Sequence, residues 1–401
     1  MANPSNPELQ NPEIIRKSFG LNDQIQPQLT ESYHSPLIDQ IKANQFQLVS
    51  GRLTFKLAQE FGFCYGVDRA IDYAYQTRAK FPDRRIFLTD EIIHNPRVNS
   101  KLQEMGLQFL FGPYSTGIKI ADIQKEDVVI IPAFGTPLKE LGELEAKGCI
   151  LVDTTCGSVM SVWKRVDSYA RDGFTSVIHG KYDHEETRAT ASRAIRYPQG
   201  KFLIVRDKEQ SQKVCDYVEG RGDKTQFLEE FKNAMSPDFD PDKDLKKIGC
   251  ANQTTMLSGE SMEIANMLQK SILQRDGEKT ACENFRHFDT ICSATQERQD
   301  AVMKLVQEGV NLMVVVGGYN SSNTGHLVEM SLAYCPAYHV KDATCIESTL
   351  KIVHKKVFSQ DVIETQNWLP SGNITIGVTA GASTPNRVIE EVIARIIQIA
   401  G

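Results

Sequence analysis

The chain has 401 residues, 41% of them hydrophobic and 24% charged, with a net charge of −6. That is the make-up of a soluble globular protein long enough for two or three domains. The mildly acidic balance, with no long basic run, excludes a nucleic-acid partner, and no apolar stretch approaches the ~20 residues of a membrane span.

The opening segment, Met1-Ala-Asn-Pro-Ser-Asn-Pro7, has neither the basic and apolar regions of a secretory signal nor the Arg-rich bias of a transit peptide. The nine cysteines are odd in number and form no C-x-x-C pair, which fits a reducing cytoplasm in which most thiols are free. Residues 1–50 are polar, with scattered Pro, Asn and Gln, and are expected to form an N-terminal extension ordered only in part.

A repeating pattern begins near Phe55. An apolar run (Phe55 to Ala58) leads to Gly62-Phe-Cys64-Tyr-Gly66, and a helix with Val67, Ala70, Ile71 and Ala74 on one face leads out. Cys64 thus stands where extended chain turns into a helix. Free N–H groups and the helix dipole there favour a thiolate, the form that binds metal or attacks. A strand (Arg85 to Thr89) then delivers the loop Glu91-Ile-Ile-His94-Asn95. A later strand (Val128 to Ile131) delivers Ala133-Phe134-Gly135.

The chain repeats this twice. The apolar run ending in Asp153-Thr-Thr-Cys156 is followed by a helix, a strand (Thr175 to Ile178) and the loop Gly180 to Glu186, which carries His184 and Glu186. Lys247 to Cys250 then delivers Asn252-Gln253-Thr254-Thr255. In the third pass Cys292 is followed by a helix, the strand Leu312 to Val316 and the loop Asn320-Ser321-Ser322-Asn323. Ile374 to Val378 delivers Thr379-Ala-Gly381-Ala-Ser383. Cys64 precedes His94 by 30 residues, and Cys156 precedes His184, and Cys292 Asn320, by 28 each.

Alternating strands and helices predict an α/β fold of three similar units, each a small parallel sheet with flanking helices. The expected boundaries are 51–153, 154–289 and 290–401, with a charged surface insertion near 206–246. The third unit ends on a helix with no strand of its own to follow, so the strand before Cys64 is expected to close it.

Ligands in such sheets bind outside the carboxyl ends of the strands. Three inward-facing units would therefore gather three thiols and six polar loops at one centre. Three thiolates could hold Zn²⁺ or three irons of a [4Fe–4S] cluster. The absence of tight C-x₂₋₄-C pairs favours a large cofactor at a domain junction. Hydroxyl, amide and imidazole donors beside glycines (His94, His184, Thr254, Asn320, Ser321, Asn323, Ser383) suit a phosphate or diphosphate, and Glu186 is the one carboxylate singled out among them. The other six cysteines lack equivalent places and are expected to be structural, Cys282 being the main rival ligand because it lies near Cys292. A non-catalytic iron–sulfur or zinc sensor, and a metal-dependent hydrolase with Glu186 as base, remain open on these residues alone.

Taken together, the motifs Gly62-Phe-Cys64-x-Gly66-Val-x-Arg69-Ala70, Ile93-His94-Asn95, Asp153-x-Thr155-Cys156, His184-x-Glu186, Gln253-Thr254-Thr255, Ile291-Cys292-x-Ala294-Thr295, Asn320-Ser321-Ser322-Asn323 and Thr379 to Ser383 resemble those of the LytB/IspH-type reductases. The resemblance covers roughly residues 53–401. It implies a trefoil of α/β units around one [4Fe–4S] cluster per chain held by Cys64, Cys156 and Cys292. It also implies reductive removal of the hydroxyl of 4-hydroxy-3-methylbut-2-enyl diphosphate, giving isopentenyl and dimethylallyl diphosphate.

By the same resemblance His94, His184, Ser321, Asn323 and Ser383 would hold the diphosphate, with Asn320 and Ser322 in the same loop. Thr254 would bond the substrate hydroxyl, and Glu186, two residues beyond His184, would feed protons. Many bacterial members carry a second diphosphate histidine in an Ala-His-Gly loop, where this chain has Phe134. That change, with the N-terminal extension and the insertion, resembles the branch found in oxygenic phototrophs, for which a ferredoxin-type electron donor is implied.

Overall fold

The computed structural model describes residues 13–288, 290–357 and 359–401. The first part of the chain runs β1 (Ile14–Ile15), α1 (Asn22–Tyr33), α2 (Pro36–Ala43), β2 (Gln47–Ser50), β3 (Leu53–Leu57), α3 (Tyr65–Lys80), β4 (Ile86–Leu88), α4 (Pro96–Glu104), β5 (Leu107–Phe109), β6 (Val128–Ile131), α5 (Leu138–Lys147) and β7 (Ile150–Asp153). The middle part comprises α6 (Gly157–Arg171), β8 (Thr175–His179), α7 (Glu185–Ala194), β9 (Lys201–Val205), α8 (Lys208–Val218), α9 (Lys224–Phe231), α10 (Pro241–Asp244), β10 (Ile248–Asn252), α11 (Ser258–Asn284) and β11 (Phe285–His287). The last part comprises α12 (Ser293–Gln307), β12 (Leu312–Val316), α13 (Ser322–Leu332), β13 (Ala337–Val340), β14 (Lys351–Lys355), β15 (Val362–Gln366), β16 (Ile374–Ala380) and α14 (Asn386–Ala400).

The described strands form three sheets, in the orders β1-β7-β6-β4-β5, β11-β10-β8-β9 and β15-β14-β13-β12-β16-β3-β2. All pairings in the first two are parallel. Strands such as β6, β8 and β12 are buried along their whole length, because helices cover both faces of a parallel sheet. This is the α/β architecture expected.

In the third sheet β3 pairs in parallel with β16, Leu53 opposite Ile374 and Leu57 opposite Val378. The strand preceding Cys64 thus closes the unit at the other end of the sequence, as anticipated. The hairpin β14–β15, antiparallel to β13, was not anticipated. Its sequences Lys-Ile-Val-His-Lys and Val-Ile-Glu-Thr-Gln carry the edge of the sheet into solvent.

Two expectations need correction. Residues 13–50 are folded, not a loosely ordered arm. Ser35 caps α2 by accepting the Ile38 N–H, Pro36 fills its first turn, and Ile38 and Ile41 are buried one turn apart. The preceding α1 lies on α3, where the Tyr33 and Tyr75 hydroxyls hydrogen-bond at 2.9 Å, and β1 adds an edge strand beside β7.

The segment 206–246 is also more than a surface insertion. Its helices α8 and α9 bury Val214, Cys215, Val218, Phe227 and Phe231 in the core of the second unit, and only its charged rim faces water.

Candidate functional site

Each of the three predicted cysteines is the N-cap of a helix: Cys64 of α3, Cys156 of α6 and Cys292 of α12. All three have extended backbone, which lets the chain leave a loop and enter the helix with its first N–H groups free to face a negative centre. Their own N–H groups are tied to another loop at the sheet edges. Cys64 donates to the Ala382 carbonyl (3.2 Å), Cys156 to Ala133 (2.9 Å) and Cys292 to Thr254 (3.4 Å). The three are half-buried free thiols.

Gly66 explains the close approach of the first two. A Cβ there would lie 2.7 Å from Cys156 Sγ and 4.0 Å from Cys64 Sγ, so a side chain would fill the space between the thiols. Gly62, with φ +76°, makes the turn into the Cys64 loop.

The expected bias toward thiolate is not what the protein environment alone produces. Burial pushes the Cys64 thiol up, outweighing the Val67 and Gly66 N–H groups that favour its anion. Burial likewise raises Cys292, against the hydrogen bonds from Thr295. Desolvation beats the helix terminus here because most of each thiol has left water. A cation placed among the three would reverse that balance, since coordination deprotonates a thiol outright.

The polar loops meet the thiols through Thr254 and Glu186. The Thr254 N–H donates to Glu186 Oε1 at 2.6 Å and its hydroxyl to Glu186 Oε2 at 2.9 Å, while its carbonyl accepts from Cys292. Glu186 is only 1% exposed. Burial raises its pKa to about 7, against the pull of the two Thr254 bonds.

One turn away, His184 caps α7 by accepting the Glu186 N–H on Nδ1 at 3.1 Å. Its Nε2 lies 3.2 Å from His94 Nε2, and His94 Nδ1 lies 2.9 Å from Glu91 Oε2. Glu91 is held in turn by Asn99, which donates to its other oxygen at 3.0 Å. Burial pulls His94 down, but Glu91, Glu185 and Asp90 push it up further, and the net shift is upward. His184 is driven well below its usual value by burial and by the neighbouring His94 and Lys181.

Since His184 Nδ1 accepts a bond, its neutral ring carries the proton on Nε2, so one proton serves the contact between the two rings. Phe134 stacks on His94 with ring centres 4.5 Å apart and planes 19° apart, and presents its ring edge-on to His184. The Glu185 carboxylate approaches to 3.5 Å from His94 Nε2 and 3.8 Å from His184 Nδ1, an anion's place between imidazoles.

The third unit closes the group. Ser321 caps α13 by accepting the Thr324 N–H. Ser322 accepts from Gln253 at 3.3 Å and Ser383 donates to the His94 carbonyl at 3.3 Å, so this loop pair is pinned to both other units. Asn323 accepts the Ala382 N–H on Oδ1, while its Nδ2 is buried with no hydrogen-bond partner. A buried amide left half-satisfied is uncommon, and this one is an unspent donor.

Seven predicted residues (His94, His184, Glu186, Thr254, Ser321, Asn323 and Ser383) are buried in this one network, and Ser322 with them. Asn320 differs, being exposed. Of the cysteines without equivalent places, Cys282 is exposed on α11, and Cys345 is buried against the Tyr319 hydroxyl. Glu91, Asn99, Gln253 and Glu185 were not selected from sequence as site residues. Glu91 lies three residues before His94, a spacing that could have flagged it.

Among the described residues no helix is long and apolar enough to cross a membrane. The family model "LytB protein" matches residues 55–397. A protein of Gloeobacter violaceus named 4-hydroxy-3-methylbut-2-enyl diphosphate reductase is 48% identical over 98% of this chain and 94% of its own length. One of the same name from Thermosynechococcus vestitus is 47% identical over 96% of this chain and 94% of its own.

A solved structure of (E)-4-hydroxy-3-methyl-but-2-enyl diphosphate reductase, described as the terminal enzyme of the non-mevalonate pathway, is similar with a TM-score of 0.51 and 26% identity. The match covers 86% of this chain and 99% of that one. A Plasmodium falciparum reductase structure shares the fold at a TM-score of 0.62 and 23% identity, over 85% of this chain and 86% of that one.

Proposed function

The chain belongs to the LytB family of 4-hydroxy-3-methylbut-2-enyl diphosphate reductases, and we propose that it carries out that reduction where its three sheets meet. The reaction is a reductive dehydroxylation. The allylic diphosphate, two electrons and two protons give water and either isopentenyl or dimethylallyl diphosphate, the last step of the non-mevalonate route to isoprenoid precursors.

Cys64, Cys156 and Cys292 are the residues we assign to a [4Fe–4S] cluster. The fit is supported by the missing side chain at Gly66, which leaves room between two of the thiols, and by the place of all three cysteines as helix N-caps. When bound, such a cluster supplies the electrons and, with three protein ligands only, one iron open to an outside ligand. A ferredoxin-type protein is the proposed electron donor.

The remaining chemistry belongs to the chain's own side chains. His94, His184, Ser321, Asn323 and Ser383 bind the diphosphate, with Asn323 Nδ2 offering an unspent donor and His94 the charge. Ser322 supports the same loop through Gln253. Thr254 orients the substrate hydroxyl. Glu186, poised near neutral pH, delivers the protons that leave with oxygen as water and that complete the new C–H bond. His184 acts on catalysis as well as binding, because its Nδ1 fixes the backbone of Glu186.

The observation that carries this assignment is Thr254, which bonds the buried acid with its side chain and N–H and a ligand cysteine with its carbonyl. The test is an anaerobic assay of reconstituted protein with the diphosphate substrate and dithionite or reduced ferredoxin. Formation of both five-carbon diphosphates is expected. A colourless zinc protein that leaves the substrate intact would overturn the assignment.

A further inference from the structure

Arg298 lies on α12, in the turns that follow the Cys292 cap, and only 3% of its surface meets solvent. Its two terminal nitrogens donate to backbone carbonyls only, one to Ala294 and one to Gly62, each at 2.8 Å. Its Nε is buried with no hydrogen-bond partner. Gly62 precedes Cys64 by two residues and has the positive φ that shapes that loop. One guanidinium therefore ties the loop of the first ligand cysteine to the helix of the third.

A guanidinium withdrawn from water is costly unless an anion lies near. Among the described residues no carboxylate oxygen comes within 4.0 Å of Arg298. The groups that feel its charge are Asp68, on the first turn after Cys64, and the Cys64 thiol itself. Both belong to the turn that Cys64 caps, so the guanidinium stands beside the first thiol, where three thiolates and a bound cluster would add net negative charge to that of Asp68.

We propose that Arg298 is a positioning residue whose buried charge balances the thiolate-held cluster and eases its reduction. Each electron taken up adds negative charge beside the guanidinium, and in a low-dielectric interior the attraction grows with that charge. Arg298 favours the reduced state, and its hydrogen bond to Gly62 holds the Cys64 loop against α12 while the charge changes. The inference rests on the cluster assignment above.

The test uses the whole chain, reconstituted anaerobically, as parent, Arg298→Gln and Arg298→Lys. Iron and sulfide content are measured first, then the midpoint potential by a dithionite titration followed by EPR. Arg298→Gln is expected to hold its cluster at a more negative potential, with the reduction equilibrium shifted roughly tenfold, about 59 mV for a one-electron couple. Arg298→Lys, which keeps the charge, is expected to recover most of that shift. If Gln loses the cluster while Lys keeps it near the parental potential, the charge is likewise upheld. A parental potential in Gln, Lys matching Gln in a shifted potential, or loss of the cluster from both variants overturns the proposal. A parent that takes up no cluster would instead overturn the assignment of the cysteines, a failure distinct from these.

Discussion

Phe134 lies face to face with His94, 4.5 Å between ring centres. A phenyl ring gives no hydrogen bond, but its face attracts a cationic ring above it. Phe134 thereby helps His94 carry charge in a buried setting. Phe134→Leu, which keeps apolar volume and removes the ring face, should weaken substrate binding by about 0.5–2 kcal/mol, read as Kd by calorimetry. If Phe134→His binds tenfold tighter than the parent, the number of donors, not support of His94, limits affinity.

The imidazole pair should make binding depend on pH. His94 sits above its usual value and His184 far below, and the free pair shares one proton between the two Nε2 atoms. An anion arriving there rewards a second proton on His94. Affinity should therefore be full below the His94 pKa and decline as pH rises through it. Calorimetry in buffers of different ionisation heat should show proton uptake on binding. Glu91→Gln, which removes the carboxylate bonded to His94 Nδ1, should move the decline to lower pH. An unmoved profile would remove Glu91 from the binding apparatus.

Glu186 predicts a second profile, in turnover. Its pKa of about 7 means that it is protonated below neutral pH, and a donor must be protonated to act. Turnover at saturating substrate should be level below that value and fall tenfold per pH unit above it. Glu186→Gln should keep the cluster and near-normal affinity and lose at least ~10²-fold in turnover. Glu185 is the internal control: its carboxylate faces the two imidazoles. If Glu185→Gln loses the turnover and Glu186→Gln does not, the acid is misassigned.

Asn323 has spent its oxygen on the Ala382 N–H and kept its Nδ2 free. Asn323→Ala should therefore weaken the diphosphate complex by roughly 1–3 kcal/mol, the range for hydrogen bonds to charged groups. Asn323→Asp should do worse, since it sets a negative charge against the phosphate. Parental Kd values for both would place the phosphate elsewhere.

For the proposed metal ligands, Cys156→Ser should lose iron on purification, whereas Cys282→Ser, altered at an exposed site on α11, should retain it. Iron and sulfide analysis decides between them.

The three cysteine turns and the loops opposite them were legible because buried parallel strands are short apolar runs, and each ran into a glycine- or cysteine-marked turn. The spacing from cysteine to polar loop then revealed the repeat. Residues 13–50 were misread because, apart from the Ser35-Pro36 start of α2, their order comes from docking and not from local pattern. Gln76 alone accepts the N–H groups of Phe19 and Leu21 and the Ser18 hydroxyl, contacts some 55 or more residues apart in sequence. The β14–β15 hairpin went unseen because β15 is largely exposed and carries no apolar face. Glu91 and the stacking of Phe134 were hidden for another reason: each matters through a partner that only the folded chain brings near.

The pairing of β3 with β16 also sets the order of events in the making of this protein. The loop that presents Cys64 hangs from a strand whose partner is residues 374–380, and the Cys64 N–H is tied to Ala382. On the ribosome the second and third cysteines and most of three sheets emerge before that partner exists. The first cysteine cannot take its place until nearly the last residues are made. The three-cysteine site is therefore complete only once residues 374–382 have been made, and a chain ending before β16 would leave the Cys64 loop without its strand partner and without the Ala382 carbonyl.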